Sequence, residues 1–327
     1  MVFVSSLHGK IMLDFSHIPD NNKNTQIFTA SNNGITGATT YLQAWTKPRG
    51  CSFVHIFGLG AGGGGGAGAP AGGLGLSAGG TGGASGAQFS MLFPASALPD
   101  IIYISVGAGG TAGNAASGGA GGDTRILMSP TIDTSVVQNS FAFAGGGGGG
   151  GVASGSIPGI LSVVSTTNPT VAISALSGLS LISPIATLQY AGLIGQAGQQ
   201  GTTAAALTAF ALPTTGLMVT GGCGGAGISA TGATTFQGGF ITYPSPLLSA
   251  SSDLNIGKPA SSGIKQNTLM MFSGGHGGSS LSSLSTTCNG GDGSYGCGGG
   301  GGGGAFTGST RTLGGKGGDG LVIITAW

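Results

Sequence analysis

The sequence has no glutamate, and charged residues of both signs are scarce. Among its 327 residues are 8 acidic side chains, all aspartate, and 9 lysines and arginines, so the formal net charge is +1. No Asp, Glu, Lys or Arg lies between Ser135 and Ser252. Nucleic-acid binding depends on clustered basic side chains, often beside aromatic ones. Because no such cluster is present, we expect no nucleic-acid partner.

Long helices and membrane spans are also disfavoured. The best helix formers are absent or rare, whereas Gly, Ser and Thr are abundant. The most apolar tract, residues 157–194, is interrupted by Pro158, Pro169 and Pro184. Residues 1–16 lack the basic, apolar and small-residue regions of a secretory signal. We therefore predict no membrane insertion and no signal-directed export.

Cysteine is rare as well. The four cysteines allow three disulfide pairings, but their wide spacing does not match a small disulfide-stapled fold. Free buried thiols are favoured, and disulfide pairing is kept as the alternative. Cys288 and Cys297 do not complete a familiar zinc spacing with the nearby His276, so we expect no metal. The four are Cys51, Cys223, Cys288 and Cys297.

Glycine is in large excess. It supplies 74 residues and forms uninterrupted runs at Gly62–Gly66, Gly145–Gly151 and Gly298–Gly304. Such runs are either disordered linkers or chain held by dense backbone hydrogen bonding, and their apolar, strand-like neighbours favour the second interpretation. A glycine chain in the polyproline II conformation has three residues per turn and, lacking Cβ atoms, packs directly on neighbouring chains. The two longest runs are therefore predicted to be buried rods that bond to other rods.

Short segments rich in β-branched and aromatic residues alternate with the glycine segments. In residues 52–58 both faces are apolar, which predicts a strand in the middle of a sheet. Strands are predicted at residues 26–30, 41–46, 52–58, 88–93, 101–106, 124–128, 141–144 and 320–325, with further candidates at 2–4 and 11–13. The predicted core is Phe53, Val54, Ile56, Ile102, Ile104, Val106, Leu321, Val322, Ile323 and Ile324. The fold class is therefore predicted to be all-β: a jelly-roll-like sandwich with a bundle of polyglycine II helices in its connections and little or no α-helix.

Three glycine motifs match ligand-binding or catalytic signatures but lack the context that those signatures need. Residues 58–63 fit a dinucleotide fingerprint with no helix after it, and residues 75–79 fit a nucleophile elbow without its flanking strand and helix. Residues 314–321 fit one copy of a calcium-binding repeat, which needs stacked turns. We expect no catalytic residue, no cofactor and no metal. Asp123 and Asp319 are instead predicted to accept backbone N–H bonds where a rod meets a strand.

Side-chain variety is concentrated in two inserts, residues 154–189 and 228–272. Loops on a rigid scaffold commonly carry recognition, so these inserts are the predicted contact surface. Aromatic residues in and around them are mostly expected to fill the core. Four are candidate receptor contacts, and Tyr295 is the strongest because it lies in a polar turn. The four are Tyr190, Phe236, Tyr243 and Tyr295.

Several features occur in a fixed order along the chain. Gln26-Ile-Phe-Thr-Ala30 precedes Trp45-Thr-Lys-Pro48, the strand at 51–57 runs into the glycines at 60–66, and Gly317-Gly-Asp-Gly-Leu-Val-Ile-Ile324 comes last. This order resembles the glycine-rich domain of many bacteriophage tail fibre and virion proteins. It is also similar to the glycine-rich ectodomain of anaplastic lymphoma kinase, in which a jelly-roll-like sheet carries packed polyglycine II helices. The resemblance implies a displayed structural protein rather than an enzyme.

These observations lead us to expect a non-enzymatic protein of the virion, of the tail fibre, spike or adhesin kind, that attaches the particle to its host. Residues 1–25 are predicted to anchor it to other virion proteins. Residues 26–327 are predicted to form the domain that contacts a host cell-surface receptor, and a homo-oligomer is left open. The alternatives are a minor capsid or decoration protein that stabilises the particle and, from another class, an ice-binding glycine-rod protein.

Overall fold

The structure is a computed structural model. It describes residues 24–30, 42–70, 76–130, 140–160, 189–213, 217–229, 234–241, 260, 262–263, 265–266, 271–280, 288–306 and 311–327. The strands are β1 (Asn24–Thr29), β2 (Leu42–Thr46), β3 (Phe53–Leu59), β4 (Gln88–Pro94), β5 (Ile101–Ser105), β6 (Thr124–Leu127), β7 (Ser140–Ala144), β8 (Gln189–Leu193), β9 (Ala209–Phe210), β10 (Phe240–Ile241), β11 (Lys265–Gln266), β12 (Met271–Phe272) and β13 (Leu321–Ala326). A short 3-10 turn spans Ala95–Ala97.

Two antiparallel sheets form the scaffold. The five-stranded sheet has the order β1-β13-β3-β4-β8, and the four-stranded sheet has the order β2-β5-β6-β7. All of their strand pairs are antiparallel. The all-β prediction is therefore confirmed, as is the central place of β3. Among the described residues, no helix is long and apolar enough to cross a lipid bilayer.

The predicted strands are confirmed within one or two residues, and others were missed. β1 begins at Asn24, two residues before the predicted start of the domain. β8 and the two-residue strands β9 to β12 were not predicted, because their glycine-rich or short segments carry no alternation of apolar residues. The candidates at residues 2–4 and 11–13 lie outside the described part of the chain.

The main core fills the space between the two sheets. Val54 and Ile56 of β3, with Ile324 of β13, project from the five-stranded sheet and are fully buried. Ile102 and Ile104 of β5 belong to the same cluster on the other sheet. Because alternate residues of a strand point to opposite faces, the odd-numbered residues of β3 must lie on the outer face.

A second core covers part of that outer face. Phe57 and Leu59 of β3 pack there with Leu321 and Ile323 of β13. They are covered by residues from later in the chain: Leu217, Val219 and, in β12, Phe272. The predicted single core is thus two cores on opposite faces of one sheet. Phe53 is the exception among the predicted core residues. It is 37% exposed, because the second core does not extend to its end of β3.

The glycine segments form a lattice of rods around residues 60–69, here called the central rod. Every third N–H group of the central rod donates to the same neighbour, at N···O distances of 2.8 to 3.2 Å. The three acceptor segments, residues 78–87, 116–122 and 312–318, run antiparallel to it. Segments 110–113, 147–153 and 299–305 run parallel to it and donate to its carbonyl groups. This three-residue period is that of polyglycine II, and ten residues at about 3.1 Å each extend roughly 30 Å.

Residues 297–305 form a second inner rod with the same pattern of bonds. They donate to the central rod and to segments 220–226 and 288–291, and they accept from segments 80–83, 275–278 and 315–318. Gly298–Gly304 is fully buried, as predicted. Gly145–Gly151 also bonds to other rods but lies at the rim of the lattice, where Gly146, Gly148 and Gly149 are half-buried.

Polar side chains take the place of missing rods at the lattice edge. Asp319 Oδ1 accepts the N–H of Gly109 at 2.8 Å, and Asp123 Oδ1 accepts that of Gly146 at 3.0 Å, which confirms both predictions. Three residues spaced by three, Gln196, Gln199 and Thr202, accept from Gly221, Gly224 and Gly227 and donate to the carbonyl groups of Ala211, Thr208 and Ala205. A side chain with both an acceptor and a donor thus bridges two rods as a peptide group would.

We expect Asp319→Ala to lower the free energy of unfolding by about 1–2 kcal/mol, because it leaves the N–H of Gly109 without its acceptor. Asp319→Asn keeps an oxygen at the same position and should cost less than half as much. Denaturant unfolding measures both variants. Equal stability of the parent and the alanine variant would show that water replaces the carboxylate at no cost.

Candidate functional site

The molecule has two distinct ends. β3 runs from Phe53 to Leu59 and continues into the central rod, and the segment 311–320 returns into β13. The end of the sandwich farthest from the rods, here called the base, therefore holds Phe53 and Trp327. Asn24 lies there too, because it pairs with Ala326. The opposite end, here called the tip, is where the rods reverse direction.

Exposed large hydrophobic side chains gather at these two ends. At the tip Ile157 is 67% exposed, Ile160 is 80% exposed, and Leu76 is also exposed. At the base the exposed side chains are those of Phe53, Ile101 and Trp327. In the described chain the remaining two are Ile27, on the edge strand β1, and Ile194, which follows the edge strand β8. An inner rod of the lattice offers no such side chain, because its glycines face other backbone.

The tip holds its exposed isoleucines on ordered backbone. Ser154 and Ile157 exchange two backbone hydrogen bonds of 3.0 and 2.9 Å across a tight turn. The N–H of Gly151 donates to Ile160 at 3.2 Å, and the hydroxyl of Thr81 donates to the carbonyl group of Gly159 at 2.6 Å. Both side chains are therefore presented at fixed positions, which lowers the entropy that binding would remove.

A second turn at the tip carries the local charge. Ala115 has a φ of 56°, in the left-handed region that favours glycine. Arg311 donates from Nη1 to the carbonyl group of Ala115 at 3.2 Å, and its guanidinium stays partly exposed. The described tip thus offers aliphatic groups, hydroxyl groups and a guanidinium.

The three predicted receptor contacts that the structure describes, Tyr190, Phe236 and Tyr295, do not come together. Tyr190 lies in the edge strand β8, where its Cα pairs with that of Met91. Tyr243 lies outside the described residues. Phe236 is half-buried towards the tip, where its N–H donates to the Ser280 hydroxyl at 2.5 Å.

Tyr295 lies between the base and the tip. It is half-buried where the sandwich meets the rods, and its ring packs edge-on against that of Phe272, with centroids 5.8 Å apart. Tyr295 lies in a turn, as predicted, but its ring packs inward against the second core, which no local pattern could indicate.

Parts of both inserts belong to the lattice rather than to a free surface. Within residues 228–272, the N–H of Gly239 donates to Gly224, and Gly277 donates to Gly239. Phe272 is buried in the second core. Within residues 154–189, the described part is the tip turn at 154–160 and the first residue of β8. The exposed side chains of that turn, Ile157 and Ile160, were not among the predicted contacts, because isolated apolar residues between Ser, Gly and Pro form no recognisable pattern.

His55 is a titratable group on the outer face of the five-stranded sheet. Its Nε2 lies 2.9 Å from the Ser90 hydroxyl, and burial lowers its pKa below the ordinary value of 6.5. The unfolded chain then binds a proton at a higher pH than the folded protein does. Stability is therefore lost as the pH falls through that ordinary value and towards the folded pKa.

We expect the melting temperature to fall more in the parent than in His55→Gln when the pH is lowered from about 7.5 to about 5. Glutamine does not titrate, so it removes this part of the pH dependence. Scanning calorimetry at several pH values measures the difference between the two slopes. Parallel slopes would contradict a lowered pKa at His55.

All four cysteines are free thiols, and Cys51 is the partly exposed one. Burial raises the pKa of Cys297 to about 12, and it also raises the pKa values of Cys223 and Cys288. Because the thiolate is the reactive form, these three thiols are inert in the folded protein. Within the described chain, no three His, Cys or Asp side chains are grouped so that they could hold a metal ion.

No curated protein matches the chain in sequence. A family model described as a glycine-rich domain matches residues 35–327, which cover both sheets, apart from β1, and all of the rods. With this match over most of its length, the chain belongs to the glycine-rich domain family.

Proposed function

We propose that this protein is a non-enzymatic structural protein of the virion surface, of the tail fibre, spike or adhesin kind, and that it attaches the particle to the host cell. The observation that carries the proposal is that the molecule has two different ends, the base and the tip. Residues 1–23 join the described chain at Asn24, at the base, while the rods carry a second exposed apolar surface roughly 30 Å beyond the sandwich. Such a molecule can be held at one end and make contact with the other.

The rod lattice supports a mechanical role. Each inner rod is bonded to neighbours on all sides through its backbone, and these rods offer almost no side chain that could bind or react with a small molecule. A lattice of this kind separates its two ends rigidly. The order of motifs that resembles the glycine-rich domain of phage tail fibre proteins supports the same function.

Recognition at the tip rests on aliphatic and hydroxyl groups. Ile157, Ile160 and Leu76 provide apolar area, and Arg311 is a charged group of the described tip. Exposed apolar side chains on a rigid frame are typical of interaction sites. Because charge is so scarce, attachment should depend weakly on ionic strength.

The experiment is an adsorption assay with particles that carry Ile157→Ser and Ile160→Ser together. Both side chains are exposed, so the protein should fold and be incorporated normally. We expect adsorption to host cells to fall by at least about tenfold, as for the loss of a central apolar contact. Ile194→Ser is the matched control, because Ile194 is 53% exposed but lies away from the tip, and it should adsorb as the parent does.

Normal adsorption of the tip variant, with normal incorporation, would overturn the attachment function. That result would favour the alternative of a capsid or decoration protein, in which the tip has no receptor. Absence of the parent protein from purified particles would overturn any virion role.

A further inference from the structure

The base carries a pair of aromatic rings that the fold holds in place and leaves exposed. Phe53 is 37% exposed and Trp327 is 38% exposed, and their ring centroids are 6.1 Å apart at an interplanar angle of 37°. The chain has two tryptophans, and the other, Trp45, is fully buried in the main core. Exposed tryptophan and phenylalanine side chains in contact are a common anchor in protein interfaces.

Backbone hydrogen bonds fix this pair. The carbonyl group of Trp327 accepts the N–H groups of Ser52 and Phe53 at 2.6 and 3.0 Å, and the N–H of Trp327 donates to Phe53 at 3.1 Å. Both the N–H and the carbonyl group of Trp327 are therefore bonded to the backbone at the start of β3. Rings held this firmly lose little conformational entropy when a partner covers them.

The connection that leads into β3 supplies a cation. Arg49 is exposed in the connection between β2 and β3, and it has no ion-pair partner among the described residues. The neighbouring Lys47 is instead held by Asp100 at 3.1 Å and by the carbonyl groups of Ala95 and Leu98. The base therefore presents two rings and, in the connection that leads into β3, one exposed guanidinium that is available for an external acceptor.

We propose that Phe53, Trp327 and Arg49 form a docking surface for the virion protein that holds the anchoring segment, residues 1–23. This inference rests on the proposed function and deepens it. The occupant offers an apolar socket for the two rings and, at its rim, a carboxylate or carbonyl oxygen for the guanidinium. The position argues for this occupant: Asn24 pairs with Ala326, one residue from Trp327, so the anchoring segment leaves the domain beside the ring pair.

The test measures incorporation of variants into purified particles by quantitative immunoblotting. We expect Trp327→Ser to reduce incorporation by at least about tenfold, as for a hot-spot residue, and Trp327→Phe to restore most of it. Arg49→Gln should reduce it several-fold. The matched control is the tip variant with Ile157→Ser and Ile160→Ser, which loses apolar side chains that are more exposed than Trp327 and should be incorporated as the parent is.

A second measurement separates docking from folding and from attachment. The purified Trp327→Ser protein, added free to host cells, should block adsorption of parent particles as well as the parent protein does, because its tip is unchanged. If it is incorporated normally, the docking surface is wrong while the attachment function stands. If the free parent protein does not block adsorption, the attachment function fails instead. If the parent forms a dimer in solution that the variant loses, a second copy is the occupant and the proposal is overturned.

Discussion

Replacing Gly65 with alanine is expected to lower the free energy of unfolding by more than about 3 kcal/mol or to prevent folding. Gly65 lies in the middle of the central rod, and a Cβ there would overlap the carbonyl group of Gly300 in the second inner rod. That neighbour is backbone held by its own bonds to Gly291 and Gly315, so it cannot move aside as a side chain could. Overpacking of a core typically costs 1–3 kcal/mol, and a rigid surrounding raises the cost.

Gly122→Ala is the matched control for this prediction. Gly122 lies in an outer rod, is half-buried, and would place its Cβ 3.1 Å from the nearest atom, the backbone nitrogen of Ala108, so a small shift accommodates it. Its cost should be well below that of Gly65→Ala. Denaturant unfolding and amide exchange through residues 60–69 measure the effect. If the two variants were equally stable, the rods could not be packed as the structure has them.

Replacing Ile324 with alanine is expected to cost about 2–5 kcal/mol, the usual range for a large aliphatic side chain in a core. Ile324 is fully buried between the sheets, and its Cα pairs with those of Gln26 and Ile56. The cavity would open in the main core beside β13, and the strands β1 and β3 on either side limit how far the surrounding side chains can move in to fill it.

Ile27→Ala tests the same substitution on the exposed side of the sheet. Ile27 of the edge strand β1 pairs with Ile323 of β13, but its side chain is 44% exposed. Its loss should cost about 1 kcal/mol or less, since much of its surface is in water in both states. A large cost for Ile27→Ala together with a small one for Ile324→Ala would contradict the assignment of the buried and exposed faces of the sheet.

The sequence by itself determined the elements. Strands such as β3 and β13 follow from short, almost wholly apolar runs rich in β-branched and aromatic residues, and the glycine runs follow from a composition that only dense backbone bonding can order. The edge caps were also predictable: Asp123 and Asp319 stand where a rod meets a strand, and a short carboxylate there has few other roles.

The tertiary structure alone decided what lies on each surface. Apolar alternation cannot tell an inner face from a covered outer face, so Phe53 and Leu321 were both predicted for one core, although Phe53 is exposed and Leu321 lies in the second core. The candidate site was decided in the same way. Glycine rods carry no side-chain pattern from which to read their neighbours, so only their three-dimensional order shows that Ile157 and Ile160 stand at one end of the molecule and Trp327 at the other.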